Sequence, residues 1–265
     1  MPADIKEIVP GGKKMSLQKT SALVLKSIDW KDSSKITTLF TRELGKLNVM
    51  AKGAKKAGSR YRGILESLNL VEVFIYCSPH RELQTLGDIS LEYAFRILRG
   101  NLLKTGYALS ILELLDIFFA YGHPDNIFFD FNKQTLCNLE NAGNEPVIFW
   151  YYLLKLASYL GFKPEFSRCR KCGKQVMDSE IFFALAEGSV ICKSCLPAGE
   201  KGYALSKTDL DFLFRIQQTK NSGISRIENI QNKRFNFTDF LLQYIQFHTG
   251  QRLTLNGLKL SRSSQ

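Results

Sequence analysis

Four of the six cysteines stand in two pairs, Cys169 and Cys172 in CRKCG and Cys192 and Cys195 in CKSC. The pattern C-x2-C-x19-C-x2-C brings two thiolates from each short turn to one cation, which is the spacing of a zinc ribbon. Four thiolates complete a tetrahedron and leave no position for water, so the centre they predict is structural, with one Zn2+ and no hydrolytic role. Disulfides are the weaker reading for a chain expected in the cytosol, and a thioredoxin-like pair normally comes singly on a βαβ unit. Cys77 and Cys137 have no partners at ligand spacing and read as small buried hydrophobes.

The second chemical feature is charge. The stretch AKGAKKAGSRYRG, residues 51–63, holds Lys52, Lys55, Lys56, Arg60 and Arg62 and no acid. The 265-residue chain carries a formal charge of +11, and the excess is unevenly placed. Residues 1–80 have 14 Lys/Arg against 7 Asp/Glu, residues 101–166 have 4 against 7, and residues 167–265 have 15 against 8. Two basic ends flanking a slightly acidic middle point to positioned surfaces for an anionic partner, nucleic acid above all.

Catalytic frames are missing. The three histidines, His80, His123 and His248, lie in no recognisable one, and there is no G-x-S-x-G, Walker loop, H-E-x-x-H or G-x-G-x-x-G. A zinc deaminase needs an H-x-E near its cysteines and room for water, and this chain offers neither. The chain reads as a binding protein and not an enzyme.

The elements that must hold these groups fall into two patterns. From Thr20 to about Ile89, the segments TSALVLKSIDW, KITTLFT, KLNVMAKG, NLVEVFIY and LQTLGDI read as short strands with polar turns between them. Five strands in so short a stretch fit a closed OB-type barrel, which also hides its edges. After Ser90 the apolar period becomes helical, as in Leu109, Leu112, Leu115 and Phe119 and again in Phe149, Leu153, Leu156 and Leu160. Residues 90–166 are expected to form a helical bundle ended by Gly161, with a helix opened by Ser206 and Asp209 as a capping pair and a last one from about Asn236 to His248. The fold class is thus α+β: a flexible extension over 1–15 or an alternative start at Met15, a barrel over 16–89, and a helical domain over 90–265 with a four-cysteine zinc insert at 167–200. No apolar run is long enough to span a bilayer, and no secretory leader is apparent.

Taken together, these segments resemble the RecO family of DNA-repair and recombination mediators over about residues 16–250. The resemblance rests on AKGAKK...SR...G at 51–63, the strand LVEVFIY, GFKPEFSRCRKCG at 161–173 and FALAEGSVICKSC at 183–195, in that order and spacing. Many relatives carry a glycine pair where this chain has Gly188-Ser189, a departure expected to affect only that loop. The resemblance implies binding to single- and double-stranded DNA, annealing of complementary strands, and help for RecA in replacing single-stranded-DNA-binding protein (SSB) together with RecR. It also implies that the acidic SSB tail docks on the helical domain, where Arg96, Arg99 and Lys104 are the nearest cations, and a place in the cytoplasm at the nucleoid.

On this reading Lys35, Arg42, Lys46, Lys52, Lys55, Lys56, Arg60 and Arg62 line the DNA surface of the barrel. Tyr61 is left open between stacking on a base and packing on the barrel. Arg168, Arg170, Lys171 and Lys174 form a second candidate contact beside the first cysteine turn. The competing classes are a non-catalytic scaffold whose basic barrel docks acidic proteins, and an RNA-binding factor, since OB barrels and zinc ribbons occur there too.

Overall fold

The computed structural model describes residues 15–79, 81–175, 181–196, 202–229 and 235–262; the proposed N-terminal extension, His80 and parts of the cysteine-bearing insert lie outside these. Five strands, β1 (Ser16–Trp30), β2 (Ser34–Thr41), β3 (Gly45–Ala51), β4 (Leu70–Cys77) and β5 (Leu83–Tyr93), close a barrel in the order β1-β2-β3-β5-β4. All pairings are antiparallel except β3 with β5, a short parallel contact from Asn48 to Met50 that seals the barrel. Side chains of β4 alternate between the two faces of the sheet. Val71, Val73 and Ile75 of β4 are fully buried among Val24, Leu39 and Val49, and Glu72 and Phe74 point the other way.

The long strand β1 serves two partners, with Ala22 opposite both Thr41 of β2 and Val71 of β4. A bulge between Val24 and Lys26 then re-aims its second half, so that Ser27 and Asp29 share the inner side of the sheet and Lys26, Ile28 and Trp30 the outer side. The outer face of β2 is partly covered. Phe40 meets Phe119 edge-on at 5.1 Å and Phe129 at 6.0 Å, rings carried by the helical segment that follows the barrel.

That segment comprises α1 (Arg96–Gly100), α2 (Leu102–Phe118) and α3 (Asn126–Asn141). Asn101 caps α2 by accepting from the Lys104 backbone N–H. The chain divides into two compact units, one ending at Glu140 and regaining the C-terminal segment from Leu255, the other Asn141–Thr254. The change of period near residue 90 therefore marks where strands give way to helices, while the compact units part near residue 140. In the first unit α7 (Asn256–Arg262) lies against α2 so closely that a Cβ on Gly106 would sit 2.6 Å from the Gly257 carbonyl oxygen and 2.7 Å from Ser261.

The second unit is built on α4 (Glu145–Tyr159), whose apolar residues run almost all round it, as expected of a helix packed on several sides. Against it pack α5 (Lys207–Gln218) and α6 (Phe237–Thr249). Ser206 and Asp209 form the expected capping box, Asn236 caps α6, and Gly250 ends it at φ 67°. Trp150 Nε1 donates to Thr238 Oγ1 at 2.8 Å and so ties α4 to α6. A three-stranded sheet, β7 (Ser189–Cys192), β6 (Ile181–Ala184) and β8 (Tyr203–Leu205) in spatial order, ends its β7 strand on Cys192, with Cys195 in the turn that follows. No described helix is long and apolar enough to cross a membrane.

Candidate metal centre and nucleic-acid interface

The four paired cysteines converge. Their sulfurs all lie within 4.8 Å of one another, with Cys172 Sγ and Cys192 Sγ 3.8 Å apart. Thiolates tetrahedral about Zn2+ at about 2.3 Å would be about 3.8 Å from each other, the separation of Cys172 and Cys192, and sulfurs no more than 4.8 Å apart reach that geometry with side-chain shifts of about 1 Å or less. Two devices hold them there. In the first turn the Cys169 N–H donates to Lys174 O and the Gly173 N–H to Cys169 O, with Gly173 at φ 70°. The second pair begins at the end of β7, where the Cys192 N–H donates to Cys169 Sγ at 3.4 Å.

These contacts set the thiol chemistry. Burial opposes ionisation of Cys169, but N–H donors from Cys192, Cys172 and Lys171, with the Cys172 thiol, bring its pKa down to about 6. Cys195 is pushed up to about 12, chiefly by sharing a hydrogen bond with Cys192 and then by burial. Four sulfurs this close cannot all ionise without a cation among them, and the cluster contains no histidine or carboxylate. Cys77 and Cys137 are half-buried, and burial raises both thiols.

The basic stretch forms a loop between β3 and β4, anchored from beneath. Ala54, Tyr61 and Leu65 plug the barrel core, and successive turn bonds, Lys56 N–H to Gly53 O, Ser59 N–H to Lys56 O and Arg62 N–H to Ser59 O, coil the chain between them. Tyr61 thus packs into the barrel; its hydroxyl accepts from Arg60, whose guanidinium lies 5.1 Å over the ring. The Lys55 N–H donates to Ser33 O at 2.9 Å, fastening the loop to the turn between β1 and β2. Lys35, Lys55, Lys56 and Arg62 consequently line one open cavity of about 390 Å³ with Asp29 and Glu66, and Lys52, Lys56 and Arg60 line an adjoining one of about 310 Å³.

Asp29 is the residue that cation counting misses. Its carboxylate lies 3.0 Å from Lys55 Nζ and 4.0 Å from Lys35 Nζ, a counter-charge inside the basic group. Arg60 reaches Asp88 at 3.0 Å and the Gly87 carbonyl, and the Tyr61 hydroxyl chiefly holds its pKa up. Lys52, Lys56 and Arg62 are exposed and have no ion-pair partner among the described residues.

Two of the eight expected contacts stand elsewhere. Arg42 and Lys46 flank the turn at the far end of β2, roughly 20 Å from Lys35 by strand rise. Arg42 makes a two-pronged pair with Asp130 of α3, at 2.8 and 3.0 Å, and also reaches Glu43. Lys46 is only 4% exposed: its ammonium donates to the Asp116 carbonyl at 2.5 Å, lies 3.4 Å from that residue's carboxylate, and sits 4.4 Å over the Tyr121 ring. These cations attach α2 and α3 to the barrel.

The remaining candidates are dispersed. Arg168, Arg170, Lys171 and Lys174 are exposed on the first cysteine turn, with Arg170 paired to Glu187 at 3.3 Å. Arg99 donates to Ser67 O and Asn69 Oδ1, and Lys104 to Glu140 O. Arg96 is exposed. His123 presses its backbone on Gly45, where a Cβ would clash, and His248 stacks on Phe162 and bonds Leu185 O.

Two family profiles match end to end. Residues 15–95 match that of the recombination protein O N-terminal region and residues 99–256 that of the recombination protein O C-terminal region. Among curated relatives, the DNA repair protein RecO of Desulforamulus reducens is 26% identical over 90% of this chain and 92% of its own. That of Oceanobacillus iheyensis is 29% identical over 91% and 94%, and that of Salinibacter ruber 35% over 76% and 80%.

Proposed function

The chain belongs to the recombination protein O family, and from that premise we propose that it is a DNA-binding mediator of repair that brings complementary single strands together. The observation that carries the reading is the loop of residues 52–62. There Lys52, Lys56 and Arg62 stand exposed and unneutralised, with Lys35, Lys55 and Arg60 beside them, on a scaffold fixed by Tyr61 and by the bond to Ser33. Such a surface binds phosphates through counterion release, strongly at low salt and with little regard to sequence. Annealing benefits from that indifference, since neutralising two polyanions lowers their repulsion without reading bases.

On this proposal one Zn2+ is held by Cys169, Cys172, Cys192 and Cys195, where it supplies a cross-link between the two cysteine turns and no reactive water. The barrel over 16–89 is the DNA-binding part. The region over 90–265 holds the surface for the SSB tail, and RecR joins in handing the strand to RecA. The chain works by binding, without catalysis, at the nucleoid in the cytoplasm.

The test is annealing of two complementary oligonucleotides coated with SSB, comparing the unmodified chain with a Lys52→Ala/Lys56→Ala/Arg62→Ala variant. These three positions make no ion pair among the described residues, so the variant keeps its fold. Faster pairing with the unmodified chain, lost in the variant, together with a salt slope for oligonucleotide binding shallower by about 2, is the expected result. Equal annealing by both proteins would remove the loop from the DNA contact.

A further inference from the structure

The outer face of the β1–β2 hairpin is apolar and only half covered. Opposed residues share a face, so Ile28 of β1 stands beside Ile36 of β2, which stands beside Met50 of β3, and Trp30 lies two residues beyond Ile28 on the same side. Further along that face Phe40 is buried by Phe119 and Phe129, and Lys26 is bound to Asp116 at 2.6 Å. Past that ion pair the cover stops: Ile28 is 57% exposed and Trp30 41%.

This open end is the end that carries the charge. Trp30 adjoins Asp29, whose carboxylate is held by Lys55 and Lys35, and the turn after Trp30 accepts the Lys55 N–H at Ser33. The indole is exposed on the outer side of the hairpin end whose inner side faces the cations, and that hairpin is pinned to the loop that bears them. A strand passing over this end would meet a π-face for a base on one side and counter-charge for its phosphates on the other. A duplex offers the charge but keeps its bases stacked inside.

We propose that Trp30, backed by Ile28 and Ile36, is a stacking platform for an unpaired base and makes this face favour single strands over duplex. The inference rests on the basic loop being the DNA contact. It adds what that loop lacks, since Tyr61, the loop's own aromatic residue, is spent in the barrel core.

The chain contains two tryptophans, and Trp150 is 8% exposed with its N–H bound to Thr238, so a change in emission on adding DNA reports on Trp30. The experiment titrates the full chain with oligothymidylate, with an abasic strand of equal length and with a duplex, and repeats this for Trp30→Ala and Trp30→Phe. Expected are quenching by oligothymidylate only, an affinity loss for that ligand of about tenfold in Trp30→Ala, most of it restored in Trp30→Phe, and changes within about twofold for the abasic strand and the duplex. Equal losses on all three ligands, or no loss on any, would overturn the stacking role. The Lys52→Ala/Lys56→Ala/Arg62→Ala variant separates the two proposals. If it binds all three ligands as the unmodified chain does, the loop reading has failed; if it weakens all three while Trp30→Ala spares oligothymidylate, only the stacking inference has.

Discussion

The two ends of β2 carry the same kind of residue and put it to opposite uses. At one end Lys35 joins Lys55, Lys56 and Arg62 around an open cavity, with a single carboxylate, Asp29, touching two of them. At the other end Arg42 and Lys46 are matched by acceptors from the helices, Arg42 by Asp130 and Lys46 by the carbonyl and carboxylate of Asp116. A cation whose donors are filled by its own fold has little left for a phosphate, because breaking an existing charge-assisted bond offsets what a new one supplies. What distinguishes a binding surface from a structural joint is therefore the partner each charge already has, and a count of lysines does not reveal that.

Lys46→Ala is the strongest way to break this comparison. It removes a buried ammonium, strands the Asp116 carbonyl and deletes the stem under Tyr121, at a cost of about 2–3 kcal/mol. We expect the melting temperature to fall by about 5–10 °C while the salt slope for oligonucleotide binding is unchanged. Lys52→Ala, at the open end, should do the reverse, with stability within about 0.5 kcal/mol of the parent and a shallower salt slope. Calorimetry alongside a binding titration checks both, and a Lys46 variant that melts normally yet loses DNA would return that residue to the interface.

Asp29 sharpens the contrast from the acidic side. Its side chain is 61% exposed, so its pairs with Lys55 and Lys35 add little to stability, but it competes with phosphate for the same ammonium groups. Asp29→Asn should raise oligonucleotide affinity about three- to fivefold at low ionic strength, with the gain shrinking as salt screens the site. A loss of affinity would mean that Asp29 positions the lysines and does not restrain them.

Much of this was legible in the sequence. The cysteine spacing announced the cluster, the apolar runs between polar turns announced all five strands, and Ser206 with Asp209 and the start near Asn236 mark helix starts that the structure repeats. These are local signals, set by residues a few positions apart. The rest depends on contacts across long stretches of chain. Lys46 is silenced by Asp116, the Lys55 loop is pinned by Ser33, and α7 returns to α2 only because Gly106 and Gly257 let two backbones touch. Trp30 was legible as a residue but not as a surface, because the bulge after Val24 decides which side it faces.

The smallest expected effect concerns the joint at Arg42. Hydrogen bonding from Arg42 is the main reason the Asp130 carboxyl lies below its ordinary range, and the same contact raises Arg42. A carboxyl depressed in the folded state contributes stability that is fully present above its unfolded pKa, near 4, and is lost as pH falls through the lower folded value. Both side chains are well exposed, so the contribution is modest even where it is complete. We therefore expect a small melting-temperature deficit for Asp130→Asn that stays flat from about pH 8 to 5 and closes below about pH 4, with oligonucleotide affinity unchanged above pH 5. That pattern would mark Arg42 as a fastening between barrel and helix. If freeing Arg42 from Asp130 instead strengthened DNA binding at neutral pH, the two ends of β2 would belong to one continuous surface, and the helix would be a restraint on part of it.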